Sequence, residues 1–428
     1  MNQLTLAPID SVSGDVRLPG SKSLSNRALL LAGLARGNTR LTNLLKSEDT
    51  QKMVAALNQF GVHLELNSDW TECTVTGNAG LFKPPTDNRF FMGNAGTAIR
   101  PLTAILALIN GDWEIDGDDY MRKRPIHHLV NALRQLGVPV TYLGKTDCPP
   151  IKVEGGCLQG GEVSVAGDVS SQFLTALLMS LPLAAKDSII RVQGQQVSKP
   201  YIKLTLDCMS RFGVAVESDK QNYLVKGQQQ YQSPGDYLIE GDASSASYFL
   251  GAAAIAGNIR IHGLGRDSVQ GDLAFVDVLE TMGAKVKKLD QTIEVSQGAL
   301  KAIDVDLNHI PDAAMTVAML ALFAKGTTHI RNVYNWRVKE TDRMTAMQTE
   351  LRKLGAEVET GHDFISITPP DKLNETTIDT YGDHRMAMCF SLATLGGVPV
   401  TINDPDCTAK TFPDYFDVLT SISRYAAG

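Results

Sequence analysis

The feature that most constrains the fold of this chain is a repeated phrase: a Leu or Met four residues before a Gly, with Val or Ala after it. It occurs as Leu57-Asn-Gln-Phe-Gly61-Val, Leu133-Arg-Gln-Leu-Gly137-Val, Met209-Ser-Arg-Phe-Gly213-Val, Leu279-Glu-Thr-Met-Gly283-Ala and Leu351-Arg-Lys-Leu-Gly355-Ala. The glycines at 61, 137, 213, 283 and 355 are 76, 76, 70 and 72 residues apart. A steady period means that one supersecondary unit is reused. One more step of about 72 reaches residue 427, so a sixth unit is expected to finish with the chain.

Each unit opens on a short alternating stretch that reads as a strand: Val16-Arg-Leu, Arg89-Phe-Phe-Met, Glu162-Val-Ser-Val, Tyr237-Leu-Ile-Glu, Asp304-Val-Asp-Leu and Thr377-Ile-Asp-Thr. A polar turn leads into an Ala/Leu-rich helix, and a second strand follows. The second helix ends in the shared phrase, and two more strands close the unit. This β-α-β-α-β-β order calls for right-handed parallel crossovers. The first helices, such as Ala28-Leu-Leu-Leu-Ala-Gly-Leu-Ala, are apolar all round and must be buried. The expected fold is α/β (α+β), with two similar lobes of three repeats each around buried helices. Breaks at Pro19-Gly20 and Pro234-Gly235 put lobe 1 at 20–235 and lobe 2 at 1–19 plus 236–428. Two crossing strands would join the lobes, with the active site in the cleft between them.

Composition narrows the function. A net charge of -7 argues against a general binder of nucleic acid or anionic membrane, so any basic cluster must be local. Six cysteines without a CxxC pair read as reduced thiols in a cytoplasmic protein, not as a disulfide frame or a zinc site. The start of the chain lacks the basic-then-apolar pattern of a secretory leader, and no apolar run reaches the roughly 18 residues of a membrane helix.

Basic residues gather where the repeats place their helix starts. The turns before the first helices hold Gly20-Ser-Lys22-Ser23 with Arg27, Gly93-Asn-Ala-Gly96, Gly167-Asp-Val-Ser170-Ser171-Gln172, Gly241-Asp242, Asn308 to Asp312, and Gly382-Asp-His384-Arg385. The loops before the second helices hold Arg122-Lys-Arg124, Ser198-Lys-Pro-Tyr201, Asn335 to Arg343, and Lys410. The apolar series Met344, Met347, Leu351, Leu354 marks one helix face, which puts Lys339, Glu340 and Arg343 in that helix's first turns. A helix start carries partial positive charge, so Lys22, Arg27, Lys339 and Arg385 sit at the unfavourable pole unless an anion joins them. Two acids, Asp312 and Glu340, lie among these cations. There they should stay ionised and can serve in acid–base work on anionic substrates. Gly20-Ser-Lys22-Ser23 lacks the order of a P-loop. His127 and His128 are adjacent, hence expected on different sides of their helix, and read as structural.

Four stretches, taken together, resemble the 5-enolpyruvylshikimate-3-phosphate synthase family of enolpyruvyl transferases: Leu18-Pro-Gly-Ser-Lys-Ser-Leu-Ser-Asn-Arg-Ala, Gly93-Asn-Ala-Gly-Thr-Ala-Ile-Arg-Pro-Leu, Arg337-Val-Lys-Glu-Thr-Asp-Arg and Tyr381-Gly-Asp-His-Arg-Met-Ala. The resemblance covers the whole chain and implies the family's inside-out α/β barrel lobes. It implies transfer of the enolpyruvyl (1-carboxyvinyl) group of phosphoenolpyruvate to the 5-hydroxyl of shikimate 3-phosphate, with release of phosphate, on the path to chorismate and the aromatic amino acids. The implied shikimate 3-phosphate residues are Lys22, Ser23, Arg27, Ser170, Ser171, Gln172, Ser198, Tyr201, Asp312, Asn335 and Lys339. Those implied for phosphoenolpyruvate are Lys22, Gly96, Arg124, Gln172, Arg343, Arg385 and Lys410. Lys22, Asp312 and Glu340 are the implied catalytic groups. The resemblance further implies a monomer without metal or organic cofactor, inhibition by glyphosate, and lobes that close on substrate. The related UDP-N-acetylglucosamine enolpyruvyl transferases have Lys-Asn where this chain has Lys22-Ser23, and usually a Cys in the loop that here runs from Asp112 to Arg124 without one.

Overall fold

The shared phrase is a helix stop. The structure, a computed structural model, describes residues 2–82, 85, 87–219 and 222–425. In it, Gly61, Gly137, Gly213, Gly283 and Gly355 all have positive φ, between 74° and 111°. In each copy the N–H after the glycine returns to the carbonyl of the Leu or Met: Val62 to Leu57, Val138 to Leu133, Val214 to Met209, Ala284 to Leu279 and Ala356 to Leu351, at 2.9–3.2 Å. This is the Schellman arrangement, which satisfies the last carbonyls of a helix and pairs an apolar residue on either side of the stop. Glycine is selected for the left-handed turn, and Leu, Met, Val and Ala for that apolar pairing. The expected sixth copy near residue 427 lies outside the described residues.

Around each stop the β-α-β-α-β-β order is present. In the first repeat the elements are helix Lys22–Leu34, strand Arg36–Thr42, helix Glu48–Gln59, and strands His63–Leu66 and Glu72–Asn78. Repeats two to five follow the same plan, with first helices Gly96–Leu106, Ser171–Ser180, Ala243–Ala256 and Ala314–Leu320. The sheets of repeats two, three and five share one strand order: opening strand, second strand, fourth, third. The opening and second strands are parallel, as in Arg89–Phe91 against Gly111–Asp116 and Glu162–Ala166 against Ser188–Gln193. The remaining neighbours are antiparallel.

Two strands leave their own repeat. Ser11–Arg17 opens the first repeat in sequence but lies parallel to Gly257–His262, in the sheet of the fourth. Asp236–Leu238 opens the fourth repeat in sequence but lies parallel to Arg36–Thr42, in the sheet of the first. The expectation that Tyr237-Leu-Ile-Glu belongs with the second half is therefore corrected. The strand fills the edge that Ser11–Arg17 does not occupy, so its backbone groups find partners there. By contacts the chain divides into one unit made of the segment up to Pro19 together with Glu240 onward, and a second unit, Gly20–Ile239. The sixth repeat supplies Thr376–Ile378 and Val400–Asn403, and its third strand is Gln3–Leu6, antiparallel to Val400–Asn403.

Within each unit the first helices form the core. Gly96–Leu106 packs against Lys22–Leu34 and Ser171–Ser180, and Ala314–Leu320 packs against Ala243–Ala256 and His384–Ser391. Leu29, Leu30 and Leu31 are fully buried, each contributing about 1.5–3 kcal/mol of apolar burial. Trp113 and Trp336 are buried in the cores. His127 and His128 do not diverge as expected: both rings lean the same way at the start of helix His127–Gln135, with centroids 3.9 Å apart, and His128 also contacts Phe173.

Gly137→Ala should lower the unfolding free energy by about 1–2 kcal/mol, the cost of a left-handed non-glycine residue, because nothing lies within 4 Å of the added carbon. Gly283→Ala should lose more, since its Cβ would stand 2.7 Å from the Ala299 carbonyl oxygen. Urea unfolding of the two variants checks this, and equal losses would remove the steric part of the explanation.

Candidate active site

In the unit Gly20–Ile239, the helix starts bring basic side chains together out of water. Lys22 is the first residue of helix Lys22–Leu34, which has no acid in its first turn and no side-chain cap. A cation there costs about 0.3–1 kcal/mol against the helix dipole. It is partly offset by Asp49, whose carboxylate is 3.8 Å from Lys22 Nζ. One turn on, Asn26 Nδ2 donates to Thr97 Oγ1 at 2.9 Å, which sets this helix start beside that of Gly96–Leu106. Arg27 is in the second turn, not at the start as expected. It donates to Thr205 Oγ1 at 2.9 Å, to the Ser23 carbonyl at 3.0 Å and to Thr175 Oγ1 at 3.3 Å. That one guanidinium thereby joins helix Lys22–Leu34 to Ser171–Ser180 and Lys199–Arg211, the helices that carry Ser171, Gln172 and Tyr201.

Arg124 comes from the loop before helix His127–Gln135 and donates to Asn94 Oδ1 at 2.8 Å. Its guanidinium lies against Gly96: a Cβ there would be 2.8 Å from Arg124 Nη2 and 3.0 Å from Arg100 Nη1. Any side chain at 96 would therefore push on two guanidiniums. Arg27 and Arg124 are 4% and 6% exposed, and among the described residues neither has a carboxylate partner. Burial pulls the Arg27 pKa down to about 10. Buried cations bonded only to neutral oxygens make a strong anion site, because a charge out of water calls for a counter-charge. Ser170 caps helix Ser171–Ser180 by accepting from the Gln172 N–H at 3.2 Å. Ser198, left-handed at φ 52°, precedes helix Lys199–Arg211.

The other unit holds the acids. Asp312 accepts from Arg343 Nη1 at 2.8 Å and Arg385 Nη2 at 2.9 Å, with Lys339 Nζ at 3.4 Å. Burial works to raise its carboxyl, but Arg385, Lys339 and Arg343 together overcome it and hold Asp312 well below the usual carboxylate range. Arg343 also donates to Glu340 at 2.8 Å and to Asp383 at 2.7 Å. Arg385 donates to the Tyr248 hydroxyl at 3.0 Å. Trp336 Nε1 donates to the Pro311 carbonyl, which ties the turn Tyr334–Val338, and with it buried Asn335, to the residue next to Asp312. Lys410 ends a short turn, Pro405–Lys410, that packs on helix His384–Ser391.

One expectation needs correcting here. Lys339 and Glu340 are not in the first turns of a helix: Asp342 caps Thr345, so the helix begins at Arg343. The two residues lie in the turn ahead of it. Their ion pairs with Asp312 and Arg343, not a helix dipole, account for their charges.

Asp49, Asn94, Arg100, Tyr248 and Asp383 escaped the sequence reading as members of these clusters. Asp49 and Asp383 look like ordinary helix-start acids, and Asp383 does accept from the Arg385 N–H at 2.9 Å. Only the structure shows its second carboxylate oxygen on Arg343. Arg100 lies in the stretch Gly93 to Leu102, and its basic side chain was the available signal.

Comparison with known proteins follows the same line. The family model described as EPSP synthase (3-phosphoshikimate 1-carboxyvinyltransferase) matches residues 6–419. A 3-phosphoshikimate 1-carboxyvinyltransferase of Aeromonas salmonicida is 59% identical over 99% of this chain and 100% of its own length. One from Klebsiella pneumoniae is 60% identical over the whole of both chains. Among solved structures, an EPSP synthase from Acinetobacter baumannii covers 98% of both chains with a TM-score of 0.83 and 24% identity. The enolpyruvyl transferase NikO from Streptomyces tendae covers 99% of this chain and 98% of its own, with a TM-score of 0.79 and 17% identity; these two show likeness of fold. With its helix-start cations, its caged carboxylate and this full-length similarity, the chain belongs to the EPSP synthase family.

Proposed function

We propose that the two clusters are the working parts of an enolpyruvyl transfer. The chain moves the enolpyruvyl group of phosphoenolpyruvate to the 5-hydroxyl of shikimate 3-phosphate and releases phosphate, a step of aromatic biosynthesis by the shikimate pathway. The observation that carries the assignment of roles is Asp312, a carboxylate kept ionised by three cations.

The reaction adds and then eliminates. The 5-hydroxyl oxygen bonds to the carbon that bears the phosphate ester, its proton leaves, and a proton arrives at the methylene carbon. The same methyl group then loses a proton as the C–O bond to phosphate breaks. Asp312 accepts the hydroxyl proton, Glu340 moves the proton at the methylene carbon, and Lys22 assists the departing phosphate. Ringed by cations, Asp312 is a weak base. Substrate anions that engage Lys339, Arg343 and Arg385 offset those charges and raise its proton affinity, so the base strengthens when there is something to deprotonate. Ser23, Arg27, Ser170, Ser171, Gln172, Ser198, Tyr201, Asn335 and Lys339 hold shikimate 3-phosphate, alongside Lys22 and Asp312. Gly96, Arg124, Arg343, Arg385 and Lys410 hold phosphoenolpyruvate, with Lys22 and Gln172. Arginine forks suit its carboxylate and phosphate.

In the same reading, the enzyme is a cytoplasmic monomer of two three-repeat lobes that uses no cofactor. The six cysteines are free thiols, and no helix among the described residues is long and apolar enough to cross a membrane. Glyphosate inhibits it by occupying the phosphoenolpyruvate residues beside Gly96.

Asp312→Ala and Lys22→Ala should each lower kcat at least ~100-fold, the scale of a lost proton-transfer group. Phosphate release from phosphoenolpyruvate, with shikimate 3-phosphate or UDP-N-acetylglucosamine as acceptor, measures both the roles and the substrate; near-normal turnover in either variant removes its role. The depressed Asp312 pKa also sets a stability window. Its contribution is fully present above roughly pH 4, the unfolded value, and is lost as pH falls through the lower folded value. Asp312→Asn should flatten the decline of unfolding free energy below that pH, and an unchanged slope would contradict the ion-pair reading.

A further inference from the structure

The turn that delivers Asp383 and Arg385 is gripped at its far end by a carboxylate outside the clusters described so far. Glu350 lies on helix Arg343–Lys353, seven residues from Arg343, about 10 Å along the axis. It is 0% exposed. Its Oε1 accepts from the Tyr381 hydroxyl at 2.7 Å, and its Oε2 accepts from the Asp379 N–H at 3.1 Å and from Lys353 Nζ at 2.8 Å. Lys353 also reaches the Asp379 carboxylate at 2.9 Å, whose other oxygen accepts from Asn403 at 2.6 Å. Tyr381 is left-handed at φ 56° and is followed by Gly382 at 67°. A non-glycine residue stays in that region when its surroundings over-determine it. At the near end, Asp383 accepts from Arg343 Nε. Helix and turn are thus fastened at two points, and Arg343 and Arg385 flank one of them.

We propose that Glu350 and Tyr381 are positioning residues for phosphoenolpyruvate: their hydrogen bond fixes the turn against the helix, and so fixes where the Arg343 and Arg385 guanidiniums point. Without it the chain is still held at Asp379, by Glu350 and Lys353, and at Asp383, by Arg343, but the left-handed stretch Tyr381–Gly382 between them can pivot, and the two forks no longer present their N–H groups at one spacing. The effect falls on binding of the three-carbon substrate, because neither residue moves a proton in the reaction. The inference rests on the reading of Arg343 and Arg385 as phosphoenolpyruvate residues.

Steady-state kinetics of Tyr381→Phe, Glu350→Gln, the double variant and Arg385→Ala test it, with melting temperatures alongside. Tyr381→Phe deletes one hydroxyl and should raise the KM for phosphoenolpyruvate by about tenfold, the low end of the worth of one hydrogen bond to a charged group. Its kcat and its KM for shikimate 3-phosphate should stay within about twofold, below the weight of such a bond. The double variant should add little to Glu350→Gln, since both remove the same fastening. A phosphoenolpyruvate KM in Tyr381→Phe that matches wild type overturns the inference, and so do KM values and kcat that shift together with the melting temperature. Arg385→Ala separates the two levels. If it leaves the phosphoenolpyruvate KM unchanged, the site reading fails; if it raises that KM while Tyr381→Phe does not, only the positioning role fails.

Discussion

The chemistry of the unit holding the acids hangs on one guanidinium. Arg343, buried at the start of its helix, donates to Asp312, Glu340 and Asp383 at 2.7–2.8 Å. These carboxylates come from three places in the chain: the turn before the fifth repeat's first helix, the turn before its second, and the cap of the sixth repeat's first helix. Burial alone would drive Asp312 towards its neutral form, and the neighbouring cations, Arg343 among them, overcome it. In return Asp383, Glu340 and Asp312 push the Arg343 pKa above its ordinary value despite burial. Removing one partner of such a buried set typically costs about 3–5 kcal/mol, so the cluster is structure as well as chemistry.

The unit Gly20–Ile239 is built on the opposite electrostatic plan. There Arg27 and Arg124 are buried against hydroxyls, an amide and carbonyls. In one unit the buried Arg27 and Arg124 lean on neutral oxygens, although Lys22 there is paired with Asp49; in the other, Arg343 and Arg385 are paired with acids. The first suits anion capture with little competition, the second suits proton transfer beside an anion. Both are made from the same module. In each, a first helix starts near a basic loop from the second crossover, and the choice of Asn94 or Asp383 near an arginine decides which kind of cluster results.

Much of this was legible in the residues. The shared phrase marks a Schellman stop, a local device whose glycine and apolar partners lie within six residues of one another, so five copies could be recognised by eye. All-apolar first helices announced their burial for the same local reason. Lys22 and Arg385 stood out because both lie at first-helix starts, and Arg124 because it lies, like Lys339 and Lys410, in a loop before a second helix. Less legible was the stretch Asn335 to Arg343, where the apolar series suggested a helix that begins early. Asp342 decides the start by capping Thr345, and a cap is one choice among several neighbouring polar residues. Asp383 and Asp49 were invisible for a related reason: an acid at a helix start already has a local use, so nothing in the sequence signals its second partner.

The sequence by itself determined the module, its five glycine stops and which helices are buried, since each depends on residues close together in the chain. The tertiary structure decided the exchange of Ser11–Arg17 and Asp236–Leu238, whose partners lie some two hundred residues away, and the use of Gln3–Leu6 to extend the sixth repeat's sheet. It also decided which carboxylate faces which guanidinium. A strand edge accepts any strand of suitable pattern, and a charge accepts any opposite charge within reach. Such choices are made by the packing of distant segments, not by the residues that make the contact.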